Sequence, residues 1–180
     1  TFFQRAVVQG VPILFGSTGE ILTEKSGNLN LGIPGIMYVG GISGIIGGYI
    51  YEHGCRTAGT TPAAALCILI PFLSCLLGSA LMALIYSFLT ISLRANQNVT
   101  GLTLTIFGTG FGNFFGEYIG QKAGGYVAVS SVTKAAFSGL RIPVLSELPV
   151  VGPLLFNYNW LVYLAILLAV FLSWFLTRSR

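Results

Sequence analysis

"TEKSGNLNLGIPGIMYVGG", residues 23–41, sets the charged Glu24–Lys25 pair, Asn28 and Asn30 between two apolar runs, with Pro34 and several glycines following. Irregular backbone cannot face acyl chains, because its unpaired N–H and C=O groups would have no partner there. If lipid surrounds the flanking runs, this break must reach water or be buried in protein. Two physical readings stay open. It is a short cytoplasmic loop between two spans, or a discontinuous element at membrane depth whose freed backbone groups and amides meet a solute.

The composition settles the solvent. The chain has 180 residues, is 54% hydrophobic and only 8% charged, and has a mean hydropathy of +0.82. Soluble domains carry about 25% charge, and a fold of this length could not hide so much apolar surface from water. The net charge of +4 comes from nine Lys or Arg against five Glu. Those basic residues stand singly, from Arg5 to Arg180, and form no patch, which argues against nucleic-acid binding. Lone basic residues at the ends of apolar runs are the usual edges of membrane spans. Cys55, Cys67 and Cys75 fit neither a disulfide framework nor a zinc site and read as small apolar residues.

About five spans are expected, in an all-α polytopic transmembrane bundle with a discontinuous or broken segment near residues 23–35. The first apolar stretch, 6–22, contains Pro12, Gly16 and Gly19, which weaken it as a regular helix; the second is 31–51. The third, 62–93, would exceed the hydrocarbon core of about 30 Å as a straight helix, so Pro71 is expected to kink it. The fourth, 99–119, is rich in Gly and Thr. The fifth, 160–176, is flanked by Tyr158, Trp160 and Trp174 and followed by Arg178 and Arg180. Residues 120–159, with three prolines and scattered charges, read as an extramembrane, extracytoplasmic excursion. The basic residues do not fix the orientation by number, although the lower weight of long loops favours a cytoplasmic C-terminal end.

Small residues recur every four positions at Gly40, Gly44 and Gly48, and again at Gly108, Gly112 and Gly116. Such a stripe shares one helix face and lets a neighbouring helix approach closely, the way helices associate in lipid. Beside the second stripe runs a polar one, Thr105, Thr109, Asn113 and Glu117. Polar groups are costly in lipid, so that face turns inward, either for inter-helix hydrogen bonds or to line a polar pathway. The candidate pathway residues are Asn28, Asn30, Asn98, Thr105, Thr109 and Asn113. Phe111, Phe114 or Tyr38 could stack on a ring.

No catalytic constellation is visible. "GTGFGN" follows no strand and is not a dinucleotide site, and no P-loop pattern occurs. His53 is the sole histidine and has no converging partners, so neither a metal site nor a triad is expected.

"GEILTEKSGNLNLGIPGIMYVGG" resembles the signature of a bacterial ABC-importer permease family serving branched-chain amino acids, ribose and other simple sugars, and nucleosides. Glu24, Lys25, Ser26, Gly27, Asn30, Gly32, Gly35 and Met37 carry the match. "ANQNVTGLTLTIFGTG" is similar to the family's later Asn-Gln-x-x-x-Gly element through Asn96, Gln97 and Gly101. "IPVLSELPVVGPLLFNYNWLVYLAILL" looks like the external segment and following span of the nucleoside/simple-sugar subgroup. Pro34 stands where members commonly carry Glu, so no role of that carboxylate transfers.

The resemblance implies one transmembrane permease domain over residues 1–180, incomplete at both ends, in a bacterial cell membrane. It implies alternating access for nucleosides or simple sugars, with no cofactor on this chain and ATP and Mg on a partner ATPase subunit. A second permease subunit and an extracytoplasmic binding protein or lipoprotein are the other implied partners. An ion-coupled secondary transporter and a non-transporting scaffold are the alternatives.

Overall fold

The computed structural model describes residues 2–125, 127, 131–137 and 158–178. Among the described residues six α-helices follow in order: α1 (Phe2–Lys25), α2 (Ile33–Thr57), α3 (Ala64–Ser87), α4 (Gln97–Lys122), α5 (Ser131–Ala136) and α6 (Trp160–Arg178). A single π-helical turn, Phe88–Ser92, prolongs α3. No strand occurs among the described residues. The chain divides into two compact units, Thr1–Leu22 with Phe137–Arg180, and Thr23–Ala136. Of the excursion expected over residues 120–159, residues 126, 128–130 and 138–157 lie outside the described residues; α5 is its described helical piece.

Among the described residues four helices are long and apolar enough to cross a membrane: Phe2–Lys25, Ile33–Thr57, Ala64–Ser92 and Trp160–Arg178. The fourth expected span is α4. Its 26 residues give it the length, but its Thr, Gly, Asn113 and Glu117 lower its hydropathy below that of the other four. The first stretch differs from the sequence expectation, since α1 runs unbroken through Pro12, Gly16 and Gly19. Proline removes one backbone hydrogen bond, but opening the helix would free several groups in a solvent that cannot pair with them. The same logic keeps Pro71 inside α3.

In the unit Thr23–Ala136, α2 is the central element. It meets α3 in antiparallel register, Gly40 opposite Ser79, Gly44 opposite Cys75, and Gly48 opposite Pro71. Seats alternate between the two helices: Gly47 receives Ser74 of α3, and Gly78 of α3 receives Ser43 of α2. Glycine opposite serine brings the two helices together without a void, which substitutes for the hydrophobic drive that lipid does not supply. The other side of α2 meets α4 in parallel register. Gly108 lies against the Gly35 backbone, Gly112 against the Tyr38 ring, and Gly116 against Ile42. Val39, Met82, Tyr86 and Leu104 fill the space between the three helices, with Ile36 and Phe111 packed against them. The opposite face of α3 is a leucine surface, with Leu77 69% exposed, suited to acyl chains.

These registers make glycine substitutions sharply unequal. A Cβ at Gly35 would meet the Leu104 carbonyl oxygen and stand 2.6 Å from the Thr105 Cα, both backbone groups that cannot turn away. At Gly41 a Cβ meets nothing within 4 Å. Gly35→Ala is therefore expected to destabilise by at least the roughly 1–3 kcal/mol typical of overpacking. Gly41→Ala is expected to be neutral or slightly stabilising, since alanine is the better helix former. Thermal unfolding of the two variants in detergent, side by side, checks the contrast.

Candidate functional site

The break between α1 and α2 is a folded corner. Gly27, at φ +87°, ends α1 in the left-handed region that glycine enters at no steric cost. Its N–H donates to the Glu24 carbonyl at 2.9 Å, and the Asn28 N–H to the Thr23 carbonyl at 3.0 Å, the paired bonds that close a helix C-terminus. Two residues on, the Gly32 N–H donates to Asn30 Oδ1 at 2.9 Å, the local amide turn that suits asparagine. Pro34 then sits in the first turn of α2, where its missing N–H costs nothing.

Side chains from α3 and α4 take up further groups of the corner. Gln97 accepts from the Leu29 N–H at 3.0 Å and donates through Nε2 to Asn28 Oδ1 at 2.9 Å. Tyr86, 6% exposed, donates its hydroxyl to the Leu29 carbonyl at 2.8 Å. Thr105 donates to the Leu31 carbonyl at 2.8 Å. Between Gln97 and Thr105 on the same face of α4, Gly101 lets the backbones touch; a Cβ there would stand 2.8 Å from the Leu31 nitrogen. Asn96 caps the start of α4, its Oδ1 accepting from the Asn98 and Val99 N–H groups at 3.0 and 3.3 Å. A broken segment at a span end thus has its polar backbone held by protein rather than left open.

The candidate residues sort by what they touch. Asn28, Asn30 and Thr105 are engaged in holding the break, and Asn30 is 5% exposed. Asn98 is exposed at the start of α4. Thr109 is exposed and bonds back to the Thr105 and Ile106 carbonyls. Asn113 is exposed and accepts the Tyr38 hydroxyl at 2.8 Å, a polar bridge between α2 and α4. Gly40, Gly44 and Gly48 face α3, while Gly108, Gly112 and Gly116 face α2. Beside the polar stripe stand the α4 phenylalanines, with Phe111 and Phe115 rings 4.4 Å apart and the exposed Phe114 at 5.3 Å from Phe115. Among the described residues no three His, Cys, Asp or Glu converge. Tyr86 and Gln97 are functional candidates that reading the stripes alone passes over. The Asn-Gln-x-x-x-Gly element held the signal, since Gln97 and Gly101, four apart, both address the break.

An all-helical, multi-pass membrane bundle, with an interrupted helix pair clasped by a polar-striped third helix, defines the class. The sequence family described as branched-chain amino acid transport system / permease component matches residues 2–180. The chain belongs to that family. It is 33% identical over 185 residues to a provisionally named glucose ABC transporter permease protein, TsgC13, of Haloferax volcanii, covering 97% of this chain and 47% of that one. It is 27% identical to the nucleoside ABC transporter permease protein NupC of Lactococcus lactis, over 97% of this chain and 51% of the relative. With the guanosine ABC transporter permease protein NupQ of Bacillus subtilis it shares 25% identity, over 94% of this chain and 49% of the relative. The chain therefore spans about half the length of the curated relatives it matches. No solved structure matches it.

The sorting predicts unequal chemical access. In a background with Cys55, Cys67 and Cys75 replaced by alanine, Thr109→Cys and Asn113→Cys should react readily with a water-soluble maleimide in intact membranes. Asn30→Cys, buried in the corner, should react far more slowly, and Leu77→Cys, on the leucine face, should stay unlabelled.

Proposed function

We propose that this chain is part of the permease subunit of an ATP-driven importer for nucleosides or simple sugars, working by alternating access in a bacterial cytoplasmic membrane. The observation that carries the reading is family membership over residues 2–180, joined to relatives named for glucose, nucleosides and guanosine. Nucleotide hydrolysis falls to a separate ATP-binding subunit, with ATP and Mg bound there and no cofactor on this chain. A second permease subunit completes the pathway, and an extracytoplasmic binding protein or lipoprotein delivers the solute.

The chain's own residues support a division of labour. Thr109, Asn113 and Tyr38 offer hydroxyls and an amide, which exchange hydrogen bonds with sugar hydroxyls at little net cost. Phe111 and Phe114 stand beside them as apolar faces against which a sugar ring or base can slide. Asn98 offers a further amide where α4 begins. Asn28, Asn30 and Thr105 shape the wall by fixing the break at the end of the spans.

Uptake by the full-length complex should require ATP hydrolysis and persist in the presence of an uncoupler. Asn113→Ala should lower uptake about 3- to 10-fold at matched expression, the effect of one or two lost hydrogen bonds. Uptake abolished by the uncoupler with ATP maintained would instead assign the chain to ion-coupled transport.

A further inference from the structure

The two side chains that bracket the α3–α4 connection hold one and the same residue. Tyr86 lies two residues before the π turn Phe88–Ser92, and Gln97 is the first residue of α4. Tyr86 takes the carbonyl of Leu29 and Gln97 takes its N–H, at 2.8 and 3.0 Å. Leu29 is separated from them by 57 and 68 positions in the chain. Both polar groups of a single residue are thus committed to side chains on opposite ends of the same connector.

That connector is unusual in itself. Its first part is a π turn, a widened helix register found frequently at functional sites. The buried Thr90 of that turn donates its hydroxyl to the Tyr86 carbonyl at 2.8 Å. Two residues after the π turn, Arg94 adopts φ +51°, a left-handed conformation that costs a non-glycine residue energy and persists only where its surroundings impose it. Leu93 and Ala95 close the turn by donating to the Phe88 and Leu89 carbonyls. A chain of hydrogen bonds therefore runs from the connector through Thr90 and Tyr86 to Leu29, and a second reaches Leu29 through Gln97.

We propose that Tyr86 and Gln97 are positioning residues that join the α3–α4 connector to the break, so that displacement of the connector moves Leu29 and with it the wall formed by residues 28–32. This rests on the transport reading above. Neither side chain needs to touch solute. The grip acts on the rate at which the wall changes shape rather than on how well solute is captured.

Kinetics of the full-length complex in proteoliposomes, normalised to permease amount, provide the test. Tyr86→Phe keeps the buried ring and removes only the hydroxyl. Gln97→Leu removes both amide bonds, whereas Gln97→Glu retains an acceptor for the Leu29 N–H, and Asn28 can turn its amide to donate to it. Tyr86→Phe and Gln97→Leu should each lower Vmax about 3- to 10-fold, the range of one or two hydrogen bonds, with KM unchanged. The double variant should be little worse than the worse single, because both act through Leu29. Gln97→Glu should keep most of the Vmax. Thr103→Val, whose hydroxyl serves only its own helix, is the unaltered control. Additive losses, a change confined to KM, or unaltered Vmax in Tyr86→Phe would overturn the proposal. Amide hydrogen exchange over residues 28–32 reads the grip independently of transport: it should accelerate in Tyr86→Phe and Gln97→Leu and not in Thr103→Val. A wild-type complex that moves no nucleoside or sugar would defeat the transport reading. Unchanged exchange in both variants would defeat the grip whatever the complex carries.

Discussion

The structure depends on one constraint: a polar, breakable corner between two membrane helices has to find hydrogen-bond partners where lipid offers none. Residues 26–32 meet it by docking onto the start of α4 and the end of α3. Gln97, Tyr86 and Thr105 serve successive backbone groups of the corner. Gly32 and Gly101 remove the side chains that would hold the backbones apart. Loss of such a partner would remove a hydrogen bond that contributes about 0.5–1.5 kcal/mol.

From that docking the register of α2 against α4 follows. Once the corner is fixed at Gln97 and Gly101, Gly35 falls on Gly108, Tyr38 on Gly112 and Ile42 on Gly116. The parallel direction of the two helices is set by the same anchor, and α3 returns antiparallel along the other side of α2. Tyr86 belongs both to the apolar core with Val39, Met82 and Leu104 and to the grip on Leu29. Packing and polar satisfaction are therefore joined in one side chain, and the candidate solute-facing groups on α4 inherit their placement from it.

Much of this was legible in the amino-acid order. Apolar runs ending at Lys25, Arg94 and Arg178 outlined the helices, and the four-residue spacing of Gly40, Gly44 and Gly48 marked a close-packing face. The identity of the partner was not legible, because a stripe says that something approaches and not what. Serines at 74 and 79 of α3 read as ordinary small residues until they are seen seated on glycines. Pro12 reads as weakening its helix, a rule calibrated in water; in lipid an intact helix is the cheaper state. Tyr86 was not legible as a candidate and Gln97 only through the Asn-Gln-x-x-x-Gly element, because their roles are defined across separations of 57 to 69 positions, over which local periodicity carries no information. Asn28 and Asn30 were recognisable as important to the break, but only the hydrogen bonds show that their amides serve the protein itself.

The most direct measurement is amide hydrogen exchange of the intact permease in lipid nanodiscs, resolved at residues 28, 29 and 32. A docked corner holds these N–H groups on the Thr23 carbonyl, Gln97 and Asn30, so they should exchange as slowly as those inside α2 and α4. Exchange at the rate of an open, water-exposed loop would contradict the account.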